Sequence, residues 1–182
     1  MDSCLVGSEM CIRDRLNPAA FDDYCPNGLQ VEASENIQRI VSGVTASLAI
    51  IKTAQAKQAD MLLVHHGYFW KGESSRLIGM KGRRVQYLMQ SGISLIAYHL
   101  PLDAHPTLGN NACLGQQLGL NGEPIAPKSL IWGATLAEPI STTDITERLQ
   151  HPRQRTPTVI DTQRPIRRIA WCTGGAQSYI EQ

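Results

Sequence analysis

The chain has 182 residues, room for one large domain or one and a half smaller ones, with 42% apolar and 18% charged residues. That balance supports a buried core and excludes a disordered chain. The net charge of +1 gives no basic surplus for nucleic acid or an anionic membrane surface, and no apolar run reaches the length of a membrane span.

Met1–Arg15 shows no clean helical or strand period, and it lacks the basic and apolar regions of a secretory signal. Glu9–Arg15 is the translation of GAG ATG TGT ATA AGA GAC AGR, which looks like the transposon-end adapter used in sequencing libraries. Residues 1–15 are therefore expected to be a non-native, adapter-derived segment, set aside from the fold. Cys25, Cys113 and Cys172 then remain, without CxxC spacing. This argues against a disulfide framework or a zinc ribbon and makes a reducing cytoplasm the expected compartment.

From Leu16 onward Pro18, Pro26 and Asn27-Gly28 signal turns. "IQRIVSGV" (Ile37–Val44) reads as a strand. Thr45 or Ser47 can cap the helix "SLAIIKTAQAKQ" that follows it. "DMLLVHH" (Asp60–His66) is a buried-strand run. "GMKGRRVQYLMQSG" puts Val85, Leu88 and Met89 on one helical face and stops at Gly92. "ISLIAYH" (Ile93–His99) is a second buried strand, and "NNACLGQQLGL" a helix. The order βαβαβα predicts an α/β fold with a largely parallel sheet flanked by helices, and ligands at the carboxyl ends of its strands.

After Gly122 the texture changes. "GEPIAPKSLIWGATLAEPIS" is strand-like and broken by prolines, and "STTDITERLQ" is helical. "TPTVIDT" and "IRRIAWCTGG" read as strands, and "AQSYIEQ" begins a helix. A seven-residue helix has little stability without further turns or packing. The last strand and helix thus look like the start of a β-α unit cut short at the C-terminus. The expected organisation is residues 16–122 as a first α/β half with the metal-ligand loops, and 123–182 as the start of a second, incomplete half.

The chemistry lies in two loops that follow buried strands. His65-His66 ends the first strand, where both imidazoles can swing toward one cleft. "YHLPLDAH" (Tyr98–His105) follows the second and supplies two imidazoles and a carboxylate. A carboxylate can bridge two cations, and neutral imidazoles cannot. His65, His66 and Asp103 therefore make half of a two-metal site, with cations roughly 3.5–4 Å apart sharing and activating a water. His99 could be a ligand, an orienter of a ligand or a proton shuttle, and is taken as the candidate catalytic residue. His105 is expected to shape its loop, and His151-Pro152 to be an exposed helix end.

Other words keep two readings open. Pro26-Asn27-Gly28 could approach a substrate or simply make a turn. Tyr68, Phe69 and Trp70 could stack a heterocycle, cover the site or pack between subunits. Lys71 and Glu73 could contact substrate or sit in water. Gly174-Gly175 could cradle a phosphate, although no full phosphate signature accompanies it. Cys172 reads as packing and not as a nucleophile.

The words "DYCPNGLQVE", "GVTAS", "VHHGYFWKGE", "HLPLDAHPTLGNNA" and "WCTGG" resemble the bacterial branch of the Nif-three-like dinuclear-metal protein family, whose members are often labelled GTP cyclohydrolase 1 type 2 homolog. The resemblance runs from about Leu16 to Gln182. It implies a twisted α/β fold of two similar halves and a toroidal homohexamer. It also implies metal ligands from the His-His pair and the Asp of the HxxxD word, here His65, His66 and Asp103. The family's remaining His and Glu, one helical turn apart near the C-terminus, have no counterpart in this chain.

The function so implied is a dinuclear metal-binding protein. Its two divalent cations could be zinc, iron, manganese, cobalt or nickel. It would act as a metal-dependent hydrolase on a small heterocyclic or nucleotide-like substrate. The alternative is a non-catalytic, ring-shaped metal-binding scaffold or regulatory interaction protein. Nucleic acid is not an expected partner.

Overall fold

A computed structural model describes residues 4–153, 156–161 and 163–180, with the side chains of 151–153 outside that description. The chain is mixed α/β and divides into two compact units, Met1–Leu102 and Asp103–Gln182.

The first unit is built on a four-stranded sheet. Its strands are β1 (Gly28–Val31), β2 (Ile40–Thr45), β3 (Met61–His66) and β4 (Ser94–Ala97), in the order β1-β4-β3-β2. β2, β3 and β4 run parallel. Helix α2 (Leu48–Ala56) crosses from β2 to β3, and α3 (Gly79–Gln90) from β3 to β4. β1 joins the edge of β4 antiparallel, an element that the turn-rich "CPNGLQ" stretch did not announce.

Both faces of the sheet are covered, so β3 and β4 are unbroken apolar runs and not alternating ones. Successive side chains still point to opposite faces. Leu62, Val64, Leu95 and Ala97 pack with Ile51 and Ala54 of α2 and with Val85 and Leu88 of α3. Met61, Ile96 and Tyr98 pack on the other face with Leu5, Ile12 and Leu16. Burying a side chain such as Leu62 contributes roughly 1.5–3 kcal/mol. Met89, expected on the buried face of α3, is exposed.

The second face is covered by α1 (Leu5–Leu16). A regular element there was not expected. The Cys4 sulfur accepts the Gly7 N–H as an N-cap, Asn17 closes the helix in left-handed geometry, and Leu5 is buried. The short 3-10 turn Pro18–Ala20 follows.

The second unit opens inside the short helix α4 (Leu100–Ala104), within a stretch read as loop. It continues with α5 (Asn110–Gln117), β5 (Glu123–Pro124), β6 (Trp132–Ile140), α6 (Thr142–Arg153) and β7 (Ile166–Trp171). The three strands form an antiparallel sheet in the order β5-β6-β7, so the parallel core is confined to the first unit.

The division falls earlier than the expected boundary at 122/123. The reason is the apolar side of α5: Leu114 and Leu118 cluster with Ile145 of α6, with Leu136 of β6 and with Ile169 of β7. Residues 156–161 of "TPTVIDT" form no strand, and the described residues 176–180 of "AQSYIEQ" hold a 3-10 turn, Gln177–Tyr179, and no α-helix. α6 runs through His151, whose side chain lies outside the described residues.

Candidate metal centre

Topology brings the histidines of the first unit together. β3 and β4 are parallel neighbours with Val64 opposite Ala97, so their carboxyl ends emerge side by side. The Tyr98 N–H extends the ladder to the Val64 carbonyl at 3.0 Å, and the Ala46 N–H reaches the His66 carbonyl at 2.9 Å. His65-His66 and His99 thus leave adjacent strand ends, the default ligand position in such sheets.

The ring centroids of His65 and His66 lie 4.5 Å apart, and that of His99 lies 4.9 Å from His65 and 5.6 Å from His66. The three offer ligand atoms all within 4.8 Å of one another. Each Nδ1 has a partner. That of His65 meets the Tyr98 carbonyl at 3.0 Å, that of His66 meets Thr45 Oγ1 at 3.1 Å, and that of His99 meets Asp23 Oδ1 at 2.7 Å. Nδ1–H donation to the Tyr98 carbonyl defines for His65 the tautomer that ligates through Nε2.

Gly67 follows the pair because nothing larger fits. A Cβ there would lie 2.1 Å from Gln30 Oε1 and 2.7 Å from the Ala97 Cβ. The same Gln30 oxygen accepts the Tyr68 N–H.

The "DYCPN" word closes over the end of β4. Asp23 Oδ1 accepts from the His99 ring and from its neighbour's Tyr24 N–H. Its Oδ2 accepts from Asn27 Nδ2 at 2.8 Å and from the Leu100 N–H at 2.9 Å. Asn27 Oδ1 in turn accepts the His99 N–H at 2.7 Å. Burial pushes the Asp23 carboxyl up, but the hydrogen bonds from His99, Asn27 and Leu100, with the charge of His99, outweigh it and hold the group at about 2. Cys25 sits beside this network with a ligating atom within 4.8 Å of those of Asp23 and His99. Burial, and then the charge of Asp23, pushes its thiol up to about 12.

The aromatic run divides by role. Tyr68 is buried and donates its hydroxyl to the Ala46 carbonyl. Phe69 packs against the core beneath Lys81, whose Nζ lies 5.5 Å from the ring centroid. Its φ of +64° is left-handed, at a cost of roughly 1–2 kcal/mol for a bulky residue. Only Trp70 reaches the imidazoles, edge-on to His99 with centroids 5.0 Å apart and 6.0 Å from His66. Its indole N–H donates to the Gly67 carbonyl at 3.2 Å. Lys71 is exposed, and Glu73 pairs with Lys81 at 3.3 Å.

In the second unit Asp103 is 4% exposed. Its Oδ1 accepts from Asn110 Nδ2 at 2.6 Å and from Thr173 Oγ1 at 3.3 Å. Asn111 Nδ2 donates to the Asp103 carbonyl, while Asn111 Oδ1 accepts the Thr173 N–H at 2.7 Å. The "GNNA" and "WCTGG" words therefore work together to hold one carboxylate. Cys172 is half-buried, its thiol pushed up by burial and then by the charge of Asp103. His105 shapes its loop as expected, with Nδ1 accepting the Thr107 and Leu108 N–H groups.

Asp23 and Thr45 were not singled out from sequence as functional residues, and Asn27 only within a turn that could approach a substrate. The signal available was weak: a carboxylate and an amide four apart ahead of an Asn-Gly turn, and a threonine at a strand end.

These features define a mixed α/β protein with clustered imidazoles at the carboxyl ends of parallel strands and a hydrogen-bonded buried aspartate in its second unit. The chain belongs to the Duf34/NIF3 (NGG1p interacting factor 3) family, whose profile matches residues 9–182. It is 52% identical over 171 residues to the "GTP cyclohydrolase 1 type 2 homolog" of Pseudomonas aeruginosa strain PAO1, covering 92% of this chain and 68% of that protein. The protein of the same description from Allochromatium vinosum is 52% identical over 172 residues, covering 93% and 68%. Among solved structures, "protein ybgI, unknown function" superposes with a TM-score of 0.91 at 44% identity, covering 98% of this chain and 72% of that one. Among the described residues no helix is long and apolar enough to cross a membrane.

Proposed function

We propose that the chain carries the ligand-bearing part of a metal-dependent hydrolase for a small heterocyclic or nucleotide-like substrate. His65, His66 and Asp103 would hold two divalent cations, and His99 would move a proton. The observation that carries this reading is the imidazole cluster, three rings from two adjacent strand ends with ligand atoms within 4.8 Å and every Nδ1 engaged. Metal-binding histidines characteristically make such a second hydrogen bond, which fixes ring and tautomer. Imidazole nitrogen with carboxylate oxygen suits zinc, iron, manganese, cobalt or nickel.

Bound divalent cations would supply the positive charge that acidifies water and polarises a substrate. The protein's own residues divide the remaining work. His65 and His66 lean on neutral groups, a carbonyl and a hydroxyl, which orient the rings as ligands. His99 leans on a carboxylate, which fixes the ring's orientation for a role in proton transfer. The Asp103 carboxylate, held by Asn110 and Thr173, is the group able to bridge two cations. Trp70 commits its N–H to the backbone and so offers its ring as a wall for a planar substrate.

The naming of the relatives supports a nucleotide-like substrate class, the family resemblance supports a toroidal homohexamer, and the scattered cysteines support a reducing cytoplasm. A panel of nucleotides that includes GTP, offered to the metal-loaded protein, tests the reading. Turnover abolished by Asp103→Ala and by His99→Gln is expected. Saturated metal with no turnover across the panel would overturn it in favour of the non-catalytic scaffold.

A further inference from the structure

Asp23 stands apart from the residues that the family resemblance assigns to the metals. Its side chain is 3% exposed, yet it is not simply filling space. Four donors converge on its two oxygens: the Tyr24 and Leu100 N–H groups, Asn27 Nδ2 and His99 Nδ1. Asn27 adds a bond from the other side by accepting the His99 N–H at 2.7 Å. The loop thus grips the backbone of His99 and Leu100 at two points and the ring of His99 at a third. The remaining ring nitrogen, Nε2, belongs to an imidazole that sits 4.9 Å from His65 and 5.0 Å from Trp70.

We propose that Asp23 is a positioning residue for His99, fixing its ring in the Nδ1–H tautomer so that Nε2 is the nitrogen that works at the imidazole cluster. Asn27 holds the peptide that carries the ring. An acceptor-only carboxylate meets an N–H and cannot meet a bare imidazole nitrogen, so the alternative Nε2–H tautomer of the neutral ring would lose this bond. A charge-assisted hydrogen bond is strong enough to give the Nδ1–H form at least about a tenfold preference. The inference rests on the reading that His99 acts through its ring at this cluster, but it can be tested without any turnover.

The amide of Asp23→Asn cannot satisfy all four donors. Its NH2 group must face either His99 and Tyr24 or Asn27 and Leu100. Turned toward His99, it needs a bare Nδ1 and reverses the tautomer. Turned the other way, it meets two donors and loses the grip on the peptide, while its carbonyl oxygen still accepts from His99. Asp23→Leu, which accepts nothing, is therefore the variant that isolates the tautomer.

The experiment is a long-range proton–nitrogen spectrum of the full chain with 15N-labelled histidine, stripped of metal, at a pH where the ring is neutral. His99→Gln assigns the signals. The expected wild-type result is a pyrrole-type Nδ1 and a pyridine-type Nε2 for His99. The expected Asp23→Leu result is reversal or loss of that preference, with the His65 and His66 signals in place. A pyridine-type Nδ1 in the wild type would overturn the proposal, and that measurement stands even if the variant fails to fold. An unchanged His99 tautomer in a folded Asp23→Leu protein, which has no acceptor there, would overturn it too, reducing Asp23 to a structural role. A wild-type tautomer as expected with no turnover on any nucleotide would leave Asp23 as assigned and remove the hydrolase reading instead.

Discussion

Replacing Asp23 by Asn should change how stability depends on pH. The folded carboxyl is held at about 2, against an ordinary value of 3.8. A depressed folded value contributes stability that is fully present above the unfolded value and is lost as pH falls through the folded one. The difference corresponds to about 2 kcal/mol. Urea unfolding of wild type and Asp23→Asn, followed by far-ultraviolet circular dichroism from pH 7 down to pH 2, isolates it, because the other carboxylates cancel in the subtraction. The wild-type advantage should be level from neutral pH to about pH 4.5 and shrink by about 2 kcal/mol as pH approaches 2. An advantage that does not change with pH would refute the account, since it would mean that the four hydrogen bonds hold no charged carboxylate.

Three further outcomes follow from the same structure. Leu62 is fully buried between the sheet and two helices, so Leu62→Ala should lower stability by about 2–5 kcal/mol in denaturant titration. Thr45→Val removes the hydroxyl that meets His66 Nδ1 and should weaken zinc binding about tenfold by calorimetry, with little change in melting temperature. Cys25, with its thiol pushed up to about 12, should resist iodoacetamide at pH 8 until the chain is unfolded, whereas exposed Cys11 and Cys113 react in the native protein.

The parallel core was legible because "MLLVHH" and "SLIAYH" are apolar runs too short for helices, separated by helical stretches, and each ends in imidazole. Parallel pairing then makes the two ends meet. β1 was not legible, because four residues after an Asn-Gly turn carry no period of their own and gain their strand from the edge of β4. "TPTVIDT" shows the converse, a β-branched run for which residues 156–161 find no pairing. The unit boundary depended on where Leu114 and Leu118 pack, which sequence spacing does not encode. Asp23 was missed for a similar reason, since its partners at His99 and Leu100 are distant in sequence and local patterns report only near neighbours.

The measurement that bears most directly on the central claim is a zinc titration of the metal-stripped chain by competition with a chromogenic chelator, for wild type and for His65→Ala/His66→Ala. The account predicts tight binding by the wild type and its loss in the double variant, with the circular dichroism spectrum unchanged. Equal zinc affinity in the two proteins would contradict it, because the imidazole cluster would then hold no metal.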